Sequence, residues 1–223
     1  MRHSTVVLAD LFAGSAPTPG GVNHLAPGAA LLRGFVNASL PALLQEIDSV
    51  ALQAPFRRMI TPGGYAMSVA MTNCGRVGWI TDLGGYRYSV TDPASGRPWP
   101  AMPPMFLALA AGAAKAAGFA GFEPDACLIN RYEPGAKLSL HQDKDERDFS
   151  QPIVSVSIGL PAVFLFGGDE RRQKPMRLRL ESGDVVVWCG PARHRYHGVD
   201  PLAEGSDPLT GPYRYNLTLR KAL

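Results

Sequence analysis

A chain of 223 residues with 46% hydrophobic side chains is long enough for one substantial core, or for one core with a small appended lobe. Its 22 Lys and Arg against 19 Asp and Glu leave a net charge of +3, which permits a nucleic-acid partner but lacks the dense basic cluster of a sequence-blind backbone binder. Three cysteines, Cys74, Cys127 and Cys189, match no zinc-knuckle spacing, and their odd number excludes a fully paired disulfide framework.

The apolar run Val6-Val7-Leu8 is broken at Asp10, which makes a poor secretory signal. Residues 13–30 are rich in Gly, Pro and Ala, so residues 1–30 read as an irregular N-terminal arm. A short strand is expected at Ala30-Leu31-Leu32. Asn37 or Ser39 is placed to cap a helix with Pro41 near its first turn. Leu40, Leu43, Leu44, Ile47, Val50 and Ala51 then recur at helical intervals and form one buried stripe. From about residue 55 to 100 the texture changes. Gly63-Gly64, Gly84-Gly85 and Asp92-Pro93 punctuate short segments, with Tyr65, Trp79, Tyr86, Tyr88 and Trp99 between them. Met67, Val69 and Met71 alternate as in a strand.

A second helix is predicted from Pro104 to Ala117, with Gly118 placed to end it. The stretch from Met102 to Phe122 is the most apolar in the chain, but prolines, glycines and Lys115 interrupt it too often for a membrane span. These features lead us to expect a soluble cytoplasmic protein with reduced thiols and no membrane partner. Beyond residue 124 short strands dominate, at Cys127–Tyr132, Ile153–Leu160, Ala162–Phe166, Met176–Leu180, Val185–Trp188 and Tyr213–Arg220. Turns at Gly167-Gly168, Ser182-Gly183 and Gly211-Pro212 separate several of them. The expected fold is mainly β with flanking helices, its strands arranged as a double-sheet barrel.

His141-Gln142-Asp143 carries the sharpest chemical signal, together with His197 far downstream. Two imidazoles and a carboxylate cover one face of an octahedral non-haem iron(II) and leave positions open for a cosubstrate and oxygen. Zinc accepts the same donors, so the triplet alone does not choose the metal. His141 and Asp143 share a face if the chain is extended there. His197 completes the set only if folding returns it to them. Downstream, Arg214, Asn216, Thr218 and Arg220 alternate with Tyr215, Leu217 and Leu219. Two guanidinium groups on one face need carboxylate partners if they are buried, and a dicarboxylate cosubstrate would supply them. A solvated strand face is the other reading. Asn130 and Tyr132 share parity on the strand that leads into the metal motif.

Taken together, Asn130-Arg131-Tyr132-x-Pro-Gly, His141-Gln142-Asp143-Lys144-Asp145 and Arg214-Tyr215-Asn216-Leu217-Thr218-x-Arg220 resemble the AlkB family. These are bacterial iron(II)- and 2-oxoglutarate-dependent dioxygenases that repair alkylated DNA. The resemblance runs from about Leu31 to Arg220 and includes Thr61-Pro62-Gly63-Gly64-Tyr65. It implies a double-stranded β-helix, or jelly roll, at about 124–223, and a nucleotide-recognition lid at about 55–100. Both would lie in a single dioxygenase domain, residues 31–223, acting as a monomer.

The resemblance further implies His141, Asp143 and His197 as iron ligands. It places Leu128, Asn130, Tyr132, Arg214, Asn216 and Arg220 around 2-oxoglutarate, with Arg220 on the distal carboxylate and Arg214 at the metal end. Thr61, Tyr65, Met71, Trp79 and Tyr86 match lid positions. Arg171 matches a residue near the substrate, and Asp145 one near the base edge. The implied reaction uses O2 and converts 2-oxoglutarate to succinate and CO2. It removes the methyl group of 1-methyladenine or 3-methylcytosine as formaldehyde, in single-stranded or flipped-out DNA and also in RNA.

Three local questions stay open at this level. Trp79 and Tyr86 could stack on a base or form a small aromatic core. Asp145 could accept from a base amine or lie solvated in the charged run from Asp143 to Asp148. Arg193-His194-Arg195 makes an unusually basic approach to His197. Two other functions also share many of these features: a hydroxylase of a protein or small metabolite, and a nonenzymatic nucleic-acid binder.

Overall fold

The computed structural model describes residues 21–223, so most of the expected arm lies outside the described residues. Two helices, α1 (Leu40–Gln53) and α2 (Pro104–Ala116), accompany thirteen strands. The first five strands are β1 (Val22–Ala26), β2 (Ala29–Leu32), β3 (Ala70–Gly75), β4 (Gly78–Asp82) and β5 (Gly85–Ser89). Then come β6 (Ala126–Tyr132), β7 (Leu138–His141), β8 (Ile153–Gly159) and β9 (Ala162–Phe166). The last are β10 (Met176–Leu180), β11 (Val185–Trp188), β12 (His197–Val199) and β13 (Arg214–Arg220).

The fold is mixed but dominated by antiparallel sheets. Seven strands make one sheet in the order β1-β2-β11-β8-β13-β6-β3, four make a second in the order β10-β9-β12-β7, and β4-β5 form a separate hairpin. Among the described residues no helix is long and apolar enough to cross a membrane.

Residue parity explains how the layers assemble. Leu43, Ile47 and Val50 of α1 and Phe106, Ala110 and Ala113 of α2 pack against Ile129, Val154, Val156, Leu217 and Leu219 on one face of the large sheet. Fully burying each of the Val, Leu, Ile and Phe side chains among these contributes about 1.5–3 kcal/mol. The alternate residues of the same strands therefore point the other way, toward the small sheet. β13 lies between β8 and β6 and is paired along its whole length. Its polar side is thus an interior wall, which removes the solvated-face reading.

Three local expectations need correction. The described part of the expected arm is a hairpin, β1 with β2, closed through Gly28 at a φ of 80° that glycine tolerates best. Its buried arm β2 gains its order from pairing with β11, which no local pattern reveals. The strand expected to start at Met67 starts at Ala70, and Met67 instead bonds the Met59 carbonyl across the Thr61–Tyr65 turn. Ser39 holds the cap position of α1, yet neither it nor Asn37 supplies a capping side chain. Gly118 does take a left-handed φ of 93° just past α2, as a helix end requires.

Candidate active site

His141 ends β7, and β12 brings His197 directly opposite it in register. Gly198 makes this approach feasible, because a Cβ there would lie 2.7 Å from the Leu138 carbonyl oxygen. Asp143 follows two residues beyond His141. The Nε2 atoms of His141 and His197 each lie 3.8 Å from a different oxygen of Asp143. Both Nδ1 atoms face main-chain carbonyls, Ser139 at 2.8 Å and Arg195 at 3.1 Å. Donation to those carbonyls sets the tautomer that leaves the Nε2 lone pairs free for a metal. One donor atom from each of the three residues fits within 4.8 Å of the others. This donor set fits iron(II).

The electrostatics keep the ligand forms in place. Burial and the neighbouring His141 lower the pKa of His197 to about 4, so the ring is neutral near pH 7. Burial opposes ionisation of Asp143, but Arg220 and the two imidazoles override it and hold the carboxyl well below the usual range. Arg220 reaches Asp143 Oδ2 with Nη2 at 2.8 Å and with Nε at 2.9 Å.

One cavity of about 780 Å³ gathers every site residue expected from sequence except Tyr65. Tyr65 is 77% exposed, and its backbone N–H donates to Thr61, which does line the cavity. On the inner wall Asn130, Asn216 and Thr218 interlock, with the Asn130 amide donating to Asn216 at 3.1 Å and the Thr218 hydroxyl at 3.0 Å. Arg214 is 1% exposed and lies over the Tyr132 ring at 4.9 Å. It bonds Ser157 through Nη2, yet its Nε and Nη1 have no partner, and neither does Asn130 Oδ1. Burial lowers the Arg214 pKa. A carboxylate fits a buried guanidinium with two unpaired donors.

The resemblance implied Arg220 on the distal carboxylate and Arg214 at the metal end, and the side-chain contacts favour the opposite assignment. Arg220 stands against the metal carboxylate, whereas Arg214 touches none of the three metal-site residues. The two positions lie six residues apart on one strand. Spacing alone could not say which end of the strand meets the metal.

At the mouth, Trp79 of β4 stacks on Tyr86 of β5 with ring centroids 5.7 Å apart. Tyr86 is 52% exposed and both rings line the cavity, so this pair is no buried core. Trp79 Nε1 donates to one oxygen of Asp145 at 2.7 Å. Arg171 lines the same opening.

Sequence reading missed a second layer of charge. Arg193 is 2% exposed and turned inward. It donates to the Asp143 carbonyl at 3.0 Å and to Glu146 at 2.9 Å. The basic approach to His197 is therefore largely a buried brace, with Arg195 lying over Phe166 and His194 left exposed. Glu146 also accepts from Tyr88 of the β4–β5 hairpin at 2.7 Å. A charged run ordinarily faces water, so nothing local marked Glu146.

The chain from residue 28 to 220 matches the 2OG-Fe(II) oxygenase superfamily, and it belongs to that superfamily. It is 59% identical over 213 residues to the alpha-ketoglutarate-dependent dioxygenase AlkB of Salmonella typhimurium, covering 96% of this chain and 97% of that protein. It is 58% identical over 213 residues to the same-named protein of Escherichia coli K12, with the same coverage of 96% and 97%. The solved structure of OsALKBH1 superposes with a TM-score of 0.79 at 29% identity, over 90% of this chain and 100% of that one. Within the superfamily the chain is a bacterial AlkB-type dioxygenase that uses iron(II) and 2-oxoglutarate. The chemistry of that family is oxidative demethylation of alkylated nucleic-acid bases.

Proposed function

We propose that this chain demethylates 1-methyladenine and 3-methylcytosine in single-stranded or flipped-out DNA, and in RNA. The observation that carries this reading is the single cavity. Its inner end holds two histidines, a carboxylate and a bare buried arginine, and its mouth holds a tryptophan–tyrosine stack beside a carboxylate. A base inside a duplex cannot enter such a cavity, so it must be extruded or already unpaired.

Iron and 2-oxoglutarate, when bound, supply the oxidising power that uses O2, yields succinate and CO2, and hydroxylates the N-methyl carbon, which then leaves as formaldehyde. In this reading His141, Asp143 and His197 hold the metal. Arg214 and Tyr132 hold the distal carboxylate of 2-oxoglutarate, and Arg220 meets its metal-binding end. Leu128, Asn130 and Asn216 line the space between. Trp79 stacks on the base, and Tyr86 supports that ring from the solvent side. Asp145 accepts from the exocyclic amine with the oxygen that Trp79 leaves free, and its charge favours a cationic base. Arg171 has only donors and holds the strand. Thr61, Tyr65 and Met71 shape the lid, Tyr65 from outside the cavity.

We read the two larger sheets as the walls of a double-stranded β-helix at about 124–223, with the lid at about 55–100, in one domain from residue 31 onward. The enzyme acts as a monomer in the cytoplasm. All three cysteines being free supports a reducing compartment. Formaldehyde release from oligonucleotides carrying either lesion, against unmethylated controls, tests the function. Release no greater than from the controls would sink it, and succinate formed instead with a peptide or metabolite would redirect it to a hydroxylase.

A further inference from the structure

A second cavity, of about 330 Å³, opens beside the β4–β5 hairpin. Tyr86 and Asp145 line it as well as the large cavity, so the two adjoin at those side chains. Its floor is apolar, because Val77 and Ala222 pack there with the partly buried Tyr88 and Leu223. Arg87 and Arg147 bring two guanidinium groups to it. Arg87 is paired with Asp82, at 2.6 and 2.9 Å. The carboxylates around Arg147 are engaged elsewhere. Asp145 accepts from Trp79, and Glu146 pairs with Arg193. Asp125, which accepts from the Ala222 and Leu223 amides, pairs with Lys221. Among the described residues no carboxylate pairs with the exposed Arg147 side chain. Its backbone is nonetheless fixed, since its N–H donates to the Ala222 carbonyl at 3.2 Å.

We propose that this cavity is a second nucleotide subsite, which holds the nucleotide next to the target base in the same strand, with a backbone phosphate on Arg147. The inference rests on the reading above that the large cavity takes the target base. The volume falls at the lower end of the range for small-ligand sites, about 300–1,000 Å³. An apolar floor with a free guanidinium at its edge matches a nucleotide, whose ring faces are apolar and whose phosphate accepts paired bonds from arginine. A free phosphate would leave the floor uncovered. Because Tyr86 borders both cavities, a strand that sends one base to Trp79 meets the second cavity at its next residue. Asp145 repels a phosphate at that boundary and so directs it to the Arg147 side. Phosphate contacts fix register without reading sequence. The subsite therefore strengthens capture of a strand whatever base flanks the lesion.

The test uses the whole chain loaded with manganese(II) and 2-oxoglutarate. The probes are the nucleoside of 3-methylcytosine and trinucleotides that carry this base in the middle, with different flanking bases. Affinity is measured over a series of salt concentrations. The unmodified protein should hold the trinucleotides more tightly than the nucleoside. Arg147→Ala should lower trinucleotide affinity about threefold at about 0.1 M salt, equally for every flanking base. It should also reduce the slope of log affinity against log salt by about 0.7, the worth of one phosphate contact on a single strand. Arg147→Lys keeps the charge and should restore the slope. Lys115→Ala removes an exposed charge from α2, which packs on the opposite face of the large sheet, and should change neither quantity. Unaltered trinucleotide affinity and slope in Arg147→Ala would overturn the subsite. So would an equal loss in Lys115→Ala, because net charge alone would then account for the effect. An unmodified protein that holds neither the nucleoside nor the trinucleotides would instead overturn the reading of the large cavity on which this inference rests.

Discussion

At the inner end of the cavity, Arg214, Asn216, Thr218 and Arg220 are between 1% and 6% exposed, on a strand paired on both sides. At its mouth, Trp79 and Tyr86 stand on a two-stranded hairpin, and Tyr86 is 52% exposed. The inner groups have little freedom left to lose when a small dicarboxylate arrives, so their binding energy goes into contact rather than ordering. In the proposed function the mouth accepts a base attached to a polymer and then releases it. Stacking suits that task because it tolerates different bases. One cavity thus joins a rigid, charge-specific end to an adaptable, aromatic end.

Substitutions at the two ends should therefore fail differently. The largest effect is expected at the metal carboxylate. Asp143→Ala should abolish demethylation, since it removes a proposed metal ligand and leaves the buried Arg220 only the longer contact to Glu146 at 3.4 Å. Iron content and formaldehyde release, measured on the same sample, check this. Activity surviving at verified iron content would break the assignment.

Next comes Arg214, proposed to hold the cosubstrate. Arg214→Ala should weaken 2-oxoglutarate binding by about 2–5 kcal/mol while leaving oligonucleotide binding intact. Arg220→Ala should weaken metal and cosubstrate together, because Arg220 touches Asp143. Calorimetry with each ligand separates the two variants. Equal behaviour would erase the distinction drawn between them.

The inner end should also report itself through pH. Burial and His141 hold His197 near a pKa of about 4, against an ordinary value of 6.5. Between these values the unfolded chain binds a proton that the folded, metal-free chain refuses. Stability is fully present above pH 6.5 and should be lost as pH falls toward 4, by up to about 1.4 kcal/mol per unit. Urea unfolding at several pH values measures the slope. A flat profile through this window would place His197 in a less buried setting.

At the mouth the effects shrink. Trp79→Ala should cost about 1–3 kcal/mol in capture of methylated single strands. It should spare 2-oxoglutarate turnover without nucleic acid. Loss of both with a collapsed melting temperature would mean that the ring is structural. The smallest change is expected from Asp145→Ala, which should slow the two cationic lesions a few-fold more than neutral 3-methylthymine, about the worth of one partly exposed charge contact. Initial formaldehyde release from matched oligonucleotides decides, and a uniform fall would remove Asp145 from base discrimination.

Local chemistry announced much of this protein. The alternation along Arg214–Arg220 marked a two-faced strand, and the stripe from Leu40 to Val50 marked a helix, because side-chain period follows directly from backbone geometry. The His-x-Asp spacing with a distant histidine offered a ligand set that iron(II) and zinc both accept, and it took the resemblance of the combined motifs to point to iron(II). Three things had no local signature. The hairpin at Val22–Leu32 takes its order from a strand more than 150 residues away, Val185–Trp188. Which arginine meets Asp143 depends on how β13 registers against β8 and β6. Glu146 and Arg193 look like solvated charges in their own segments and become a buried pair only when the loop after β7 folds over the turn before β12. Periodicity records which way a side chain points from its own backbone, whereas burial and charge pairing depend on what the rest of the chain places in front of it.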